Sequence, residues 1–380
     1  MEFLPFFIVL VVGVLFSLAF RRFHLPWVLA LITAGIVVGP NGFALVETNP
    51  TIDFISQIGL IFLMFMAGLE TKLSTFRQFK GDMLWLTVLN AAIPFAVGFG
   101  IGWLFGFSVL ASLLLGTIFM SSSIAVIVPT LERTGLIDRK IGRTIVSATI
   151  IEDVTSLILL SILLQIVDPV TALPLPSFYF ILAVILVAFR YGLPKLRDLV
   201  PRQRDERDLF ESEVRVIIAL LIGVVITFEL LGLHPIIAGF FTGLVLSESI
   251  TSKMLVDKLR TISYGIFIPT FFVIIGMQTD IGIFLDGAGN IGLVLTVIIG
   301  SMAAKFASGW FAARLTGYRT ADAVLIGTAT IPQLSTTLAV VFSAVELGLL
   351  QSELVTAMVM LSIISTMVAP IAINALQARN

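Results

Sequence analysis

Apolar runs long enough to cross a bilayer follow one another along the whole chain, and they constrain its fold more than any motif does. Backbone polar groups in hydrocarbon must pair within the segment, so a run of about 17 to 25 apolar residues between charges or Pro/Gly turns reads as a membrane helix. Thirteen such stretches are found: Phe3–Phe20, Leu25–Gly39, Phe54–Leu69, Met83–Phe105, Val109–Leu131, Ile145–Val167, Leu175–Leu193, Val214–Leu231, Leu233–Leu246, Ile262–Met277, Gly287–Leu315, Ala321–Leu347 and Leu354–Leu376. With 58% hydrophobic and 12% charged residues, the chain is expected to be an all-α polytopic membrane protein, and a soluble domain is excluded. The net charge of −1 then says little about partners.

The basic residues test this division independently, because Lys and Arg concentrate in cytoplasmic connections. One side receives Arg21 and Arg22; Lys72, Arg77 and Lys80; Arg133, Arg139, Lys140 and Arg143; the Arg190–Arg215 cluster; Lys253, Lys258 and Arg260; Arg314 and Arg319; and Arg379. The other side carries acids only, among them Glu47, Asp53, Asp168, Glu229, Asp280, Asp286, Glu346 and Glu353. An even number of spans would put Arg379 on the wrong side, so the N-terminus is expected outside and the C-terminus inside. The first stretch lacks a basic n-region and a small-residue cleavage pattern, so it reads as a retained helix. The mixed-charge stretch Lys195–Glu213 reads as a solvated inner loop.

The two halves repeat one another at an offset of about 208 to 211 residues. His24-Leu-Pro-Trp-Val-Leu-Ala-Leu-Ile-Thr33 is matched by Leu233-His-Pro-Ile-Ile-Ala-Gly-Phe-Phe-Thr242, Gly68-Leu-Glu-Thr-Lys72 by Gly276-Met-Gln-Thr-Asp280, and Gly116-Thr117 by Gly327-Thr328. The second stretch starts inside and the ninth outside, which makes the copies inverted, the architecture of secondary transporters. Repeat one is placed at about residues 1–168, a linking helix at about 175–213 and repeat two at about 214–380, all in one transmembrane domain.

Unwound backbone inside a membrane is tolerated only where it is buried or lines a cavity, so breaks at corresponding places point to a binding site. Ser121-Ser-Ser123 and Pro129 interrupt the fifth stretch; Thr328-Ala-Thr330-Ile-Pro332-Gln333, followed by Ser335-Thr-Thr337, interrupts the twelfth. Three charges also lie inside the apolar runs, where ionisable groups are costly and usually functional. Asp153 is ten residues beyond Arg143 and Lys305 nine before Arg314, so by helical rise both lie roughly 13 to 15 Å deep. Glu152, Asp153 and Lys305 therefore occupy one layer. Adjacent helical residues project about 100° apart, so Glu152 and Asp153 need not serve the same partner: one can pair with Lys305 while the other faces water.

Other chemistry finds little support. The chain has no cysteine, which rules out disulfides, thiolate chemistry and Cys-based metal sites, and its two histidines, His24 and His234, read as loop-end residues beside prolines. Intramembrane aspartyl proteolysis needs two aspartates on separate helices, whereas these carboxylates adjoin on one. With no Ser/His pair, phosphate loop or metal triad either, the chain is not expected to be an enzyme or to carry a cofactor.

Gly59-Leu-Ile-Phe-Leu-Met-Phe-Met-Ala-Gly68-Leu-Glu70, the Ser122-Ser123 break, Ile151-Glu152-Asp153-Val154 and Lys305, in this order, resemble the second monovalent cation:proton antiporter superfamily, of the NapA and Kef kind. The resemblance covers essentially the whole chain. It implies a core domain with two crossing broken helices, a dimerisation domain and homodimer, and elevator-like alternating access. By resemblance Asp153 is the ion-binding aspartate, Glu152 takes the place of a preceding Asn, Gln or Asp, Ser122 and Ser123 are the polar pair of the first broken helix, and Lys305 is the core lysine. The chain departs from NapA-like members at Glu152, and at Gln333-Leu334-Ser335, where those members carry Arg-Gly-Glu. Kef-type members usually append a soluble nucleotide-binding domain, and this sequence is expected to lack one.

The chemistry implied is competition between a cation and a proton for one carboxylate, since removal from water disfavours the charged form of a carboxylic acid. Na⁺ and K⁺ seek oxygen ligands, for which Asp153, Ser122, Ser123, Thr155 and freed backbone carbonyls are the candidates, with Pro129, Thr330, Pro332 and Gln333 around them. Lys305 would compensate Glu152. The expectation is exchange of Na⁺, favoured over K⁺, for H⁺ across a bacterial or archaeal plasma membrane. An ion channel and a sodium-coupled organic-anion symporter of similar fold remain the alternatives.

Overall fold

The computed structural model describes residues 3–22, 26–47, 49–71, 81–167, 175–198, 211–231, 233–250, 252–280, 282 and 288–377. Among these the regular structure is helical throughout: α1 (Phe3–Arg22), α2 (Trp27–Val38), α3 (Pro50–Glu70), α4 (Gly81–Leu104), α5 (Val109–Met120), α6 (Ile124–Arg133), α7 (Lys140–Val167), α8 (Leu175–Asp198), α9 (Ser212–Leu230), α10 (Pro235–Leu246), α11 (Lys253–Ile262), α12 (Ile268–Gln278), α13 (Ala288–Leu315), α14 (Thr320–Ala329), α15 (Ser335–Glu346) and α16 (Ser352–Gln377). Among the described residues, seven helices are long and apolar enough to cross a membrane: α1, α3, α4, α7, α13, α16 and the run Lys253–Gln278. His24, the basic residues of 72–80, Asp168, Asp286 and Arg379 lie outside the described residues.

Three boundaries differ from expectation for identifiable reasons. The tenth stretch starts at Lys253, well before Ile262, because the charged α11 is capped by the Ser252 hydroxyl and joined to α12 through a π turn at Ser263–Phe267. Lys195 is helical, since α8 runs to Asp198. In the fifth stretch the chain unwinds only at Ser121–Ser123, and Pro129 sits exposed inside α6. His234 caps α10 by accepting from the Ile236 N–H at 3.4 Å.

The chain divides into two compact units, Met1–Ser56 with Gln78–Leu163 and Pro269–Asn380, and Gln57–Arg77 with Leu164–Ile268. In the first, α4 packs along α5 and α13, and α13 packs on α14 and α16. Glycines set these approaches: a Cβ on Gly98 of α4 would press on Leu115 and Gly116 of α5, and one on Gly309 of α13 on Gly327 of α14 and on Thr330 just past its end. Gly35 of α2 likewise meets Gly276 of α12, its Cβ position overlapping the Val273 carbonyl oxygen. In the second unit, Gly243 of α10 meets Gly68 of α3, its Cβ position overlapping the Phe65 carbonyl oxygen.

Helix ends follow the same local logic. Gly106 (φ 78°) closes α4 and Gly317 (φ 83°) closes α13, in a left-handed conformation that side chains with a Cβ disfavour. Ser108 then starts α5, its hydroxyl oxygen accepting from the Ala111 N–H at 3.1 Å.

Candidate functional site

Two interrupted helices supply the frame. α5 stops at Met120 and α6 starts at Ile124; α14 stops at Ala329 and α15 starts at Ser335. The interruptions are tied together, because the Ser123 N–H donates to the Pro332 carbonyl at 2.8 Å, and the Ser121 and Thr337 hydroxyls share a hydrogen bond of 2.7 Å. Two helix C-termini, with unused carbonyls, and two N-termini, with unused N–H groups, thus come to one buried place. The first favour a cation and the second an anion.

Side chains occupy these ends accordingly. Lys305 of α13 is fully buried and spends all three ammonium hydrogens: on the Met120 carbonyl at 2.7 Å, the Glu152 carboxylate at 2.9 Å and the Asn90 carbonyl at 3.3 Å. The Gln333 amide donates to the Phe119 carbonyl at 2.9 Å, and the Gln333 N–H is held by Ser365. Thr330 binds the Lys305 carbonyl at 3.0 Å, which ties the second interruption to α13.

Glu152 of α7 is also fully buried, and both its oxygens have partners. Oε2 receives Lys305 and the Ser122 hydroxyl, the latter at 2.8 Å; Oε1 receives the Asn90 amide at 2.8 Å. Ser122 shares its hydrogen with the Thr330 carbonyl at 3.2 Å. The buried ion pair is thus saturated, the condition under which such a pair is tolerated at all.

Asp153 differs. It is 3% exposed and faces the Ser122 N–H and the Thr336 hydroxyl, but its Oδ1 has no hydrogen-bond partner. The Ser123 hydroxyl and the Gln333 Oε1 are likewise buried without partners. An orphaned buried oxygen carries a desolvation cost of about 1–3 kcal/mol, and three oxygen donors around the interruptions are the ligand type that alkali cations take.

Glu152, Asp153, Ser122, Ser123, Lys305, Thr330, Pro332 and Gln333 are therefore brought together. Of the two arrangements open to the adjacent carboxylates, the one with a water-facing carboxylate is not adopted, since both are buried. Thr155 points elsewhere: it is exposed and its hydroxyl returns to the Ile151 carbonyl at 2.7 Å. Pro129 lies five residues inside α6 from Ile124 and does not shape the interruption. Asn90, Ser308 and Thr336 join the site without having been singled out by sequence. Asn90, a lone amide in an apolar run, was the one signal available. Among the described residues no cluster of three His, Asp or Glu side chains offers a multivalent metal site.

Residues 6–378 match the family model described as "Sodium/hydrogen exchanger, transmembrane". The chain belongs to the sodium/hydrogen exchanger family. This is a family of transporters, not enzymes. The chain is 31% identical over 376 residues to a probable Na⁺/H⁺ antiporter of Methanocaldococcus jannaschii, covering 97% of this chain and 95% of that one. It is 25% identical to an Na⁺/H⁺ antiporter of Enterococcus hirae, covering 92% and 91% of the two chains. It is 28% identical to the Na⁺/H⁺-K⁺ antiporter GerN of Bacillus cereus, covering 92% and 89%. The fold is similar to that of the sodium proton antiporter MjNhaP1 of M. jannaschii, with a TM-score of 0.75 over 97% of this chain and 96% of that one at 14% identity. A multi-pass membrane protein is the class to which fold and family assign this exchanger.

Proposed function

We propose that this exchanger moves a monovalent cation, Na⁺ in preference to K⁺, against protons, with Asp153 taking the cation and the proton in turn. The observation that carries the reading is the contrast between neighbours: Glu152 is saturated by donors, whereas Asp153 keeps an oxygen without one. Asp153, Ser123 and the oxygen-rich interruptions would hold the cation, Ser122 would brace both carboxylates, and Gln333 and Pro332 would shape the second interruption. Thr155 is not in this set, because its hydroxyl is bonded to the Ile151 carbonyl. The relatives' names support Na⁺ as a substrate, and GerN's admits K⁺.

The inverted repeat is part of this reading. Gly35 and Gly276 correspond to Gly243 and Gly68 at an offset of 208 residues (243 − 35 and 276 − 68), and Gly98 and Gly116 to Gly309 and Gly327 at 211 (309 − 98 and 327 − 116). Even the carbonyls approached correspond, Val273 with Phe65 and Phe306 with Phe95. Thirteen spans, an elevator-type motion, a homodimer in the lipid bilayer, a plasma-membrane location with the N-terminus outside, and a part in pH homeostasis complete the proposal. They rest on the charge pattern and on the antiporter resemblance.

Purified protein in proteoliposomes loaded with a pH-sensitive dye tests it. Addition of Na⁺ is expected to drive proton movement at lower concentration than K⁺ between pH 6 and 9. Uniform silence toward Na⁺, K⁺ and Li⁺ from correctly folded protein would overturn the reading.

A further inference from the structure

Asn90 is not among the cation's candidate ligands, yet it is fully buried and both the nitrogen and the oxygen of its amide are engaged. Its Nδ2 donates to Glu152 Oε1 at 2.8 Å, and its Oδ1 accepts from the Ser308 hydroxyl at 2.6 Å. The Glu152 carboxylate fixes which way the amide points, because the reversed amide would set its oxygen against it. The Asn90 carbonyl also accepts from Lys305. α4 and α13, which carry these groups, pack directly on one another.

A free glutamate has three side-chain torsions, and one placed next to Asp153 in the sequence would compete with it for any cation or proton entering the site. We propose that Asn90 and Ser308 are positioning residues of the exchange reaction: they clamp the Glu152 carboxylate onto Lys305 and leave Asp153 as the one carboxylate that trades a proton for a cation. The inference rests on the exchange reading above. Neither residue touches Asp153, so they act through Glu152. No bond is made or broken in this role.

Exchange rates of wild type, Asn90→Ala, Asn90→Asp and Ser308→Ala in Na⁺-driven, dye-loaded proteoliposomes test it. Asn90→Ala is expected to lower the maximal rate about tenfold or more, the scale of a lost buried hydrogen bond to a charged group, and to change the half-saturating Na⁺ concentration much less. Ser308→Ala should move in the same direction by a smaller factor. Asn90→Asp keeps the size but turns an acceptor toward Glu152; it should fail at alkaline pH and recover at acidic pH, when the introduced carboxyl can again donate. The groups facing that carboxyl are Glu152, Ser308 and Lys305, with Asp153 next along α7. A purely structural asparagine would give no such acid recovery. Wild-type rates in both Asn90 variants would overturn the proposal, as would an Asn90→Asp profile parallel to wild type; if Asn90→Ala does not fold, the Asn90→Asp profile decides. A wild type that exchanges no cation would instead sink the exchange reading itself.

Discussion

The Lys305 ammonium lies 2.7 Å from the Met120 carbonyl, the last residue of α5, and 2.9 Å from Glu152. One buried cation therefore caps a half-helix and neutralises a carboxylate. Lys305→Met would leave both acceptors without it, and breaking a buried pair on one side typically costs about 3–5 kcal/mol. A clear fall in the thermal unfolding temperature, with loss of exchange, is expected. An unshifted unfolding temperature would mean that the pair does not hold the interruption in place.

Thr336 and Thr155 make a matched comparison. Thr336 faces Asp153 from the first turn of α15, whereas Thr155 bonds back to Ile151 on the exposed side of α7. Thr336→Val, nearly the same shape without the hydroxyl, should raise the half-saturating Na⁺ concentration several-fold, as loss of about 1 kcal/mol would do. Thr155→Val should leave it alone. Concentration dependence of Na⁺-driven proton movement in the two variants checks both statements.

Gly35 and Gly243 have no room for a methyl group against the carbonyls of Val273 and Phe65. Alanine at either should force the helices apart and cost about 1–3 kcal/mol. Gly100 of α4 and Gly223 of α9 have open space at the same position. Their alanine variants should unfold at or above the wild-type temperature, since alanine is the better helix former. Thermal melts of all four proteins in one detergent give the comparison.

Much of this was legible in the sequence because it is written in costly residues. A charge in an apolar run stands out, and counting residues from Arg143 and Arg314 placed Asp153 and Lys305 at one depth. The matched segments Gly68-Leu-Glu-Thr-Lys72 and Gly276-Met-Gln-Thr-Asp280 stand out in the sequence because close helix approaches demand glycine, as at Gly68 and Gly276. What stayed hidden depends on long-range packing. Asn90 lies 62 residues from Glu152 and Ser308 lies 218 from Asn90, and nothing local says that they meet. Thr336 was one hydroxyl in the run Ser335-Thr-Thr337, and only the turn of α15 selects it. Thr155 lies two residues from Asp153, but two residues turn a helix by about 200°, which puts its hydroxyl on another face. Pro129 drew attention as a helix breaker, yet α6 continues through it.

The most direct test of the account is Na⁺-driven proton movement in proteoliposomes for wild type and Asp153→Asn, side by side. The substitution removes the charge and keeps the size, so folded protein is expected from both. Exchange in wild type and none in Asp153→Asn at any pH from 6 to 9 is the result predicted. Undiminished exchange by folded Asp153→Asn would contradict it, and would move the site away from the one buried carboxylate that keeps an oxygen free among the described residues.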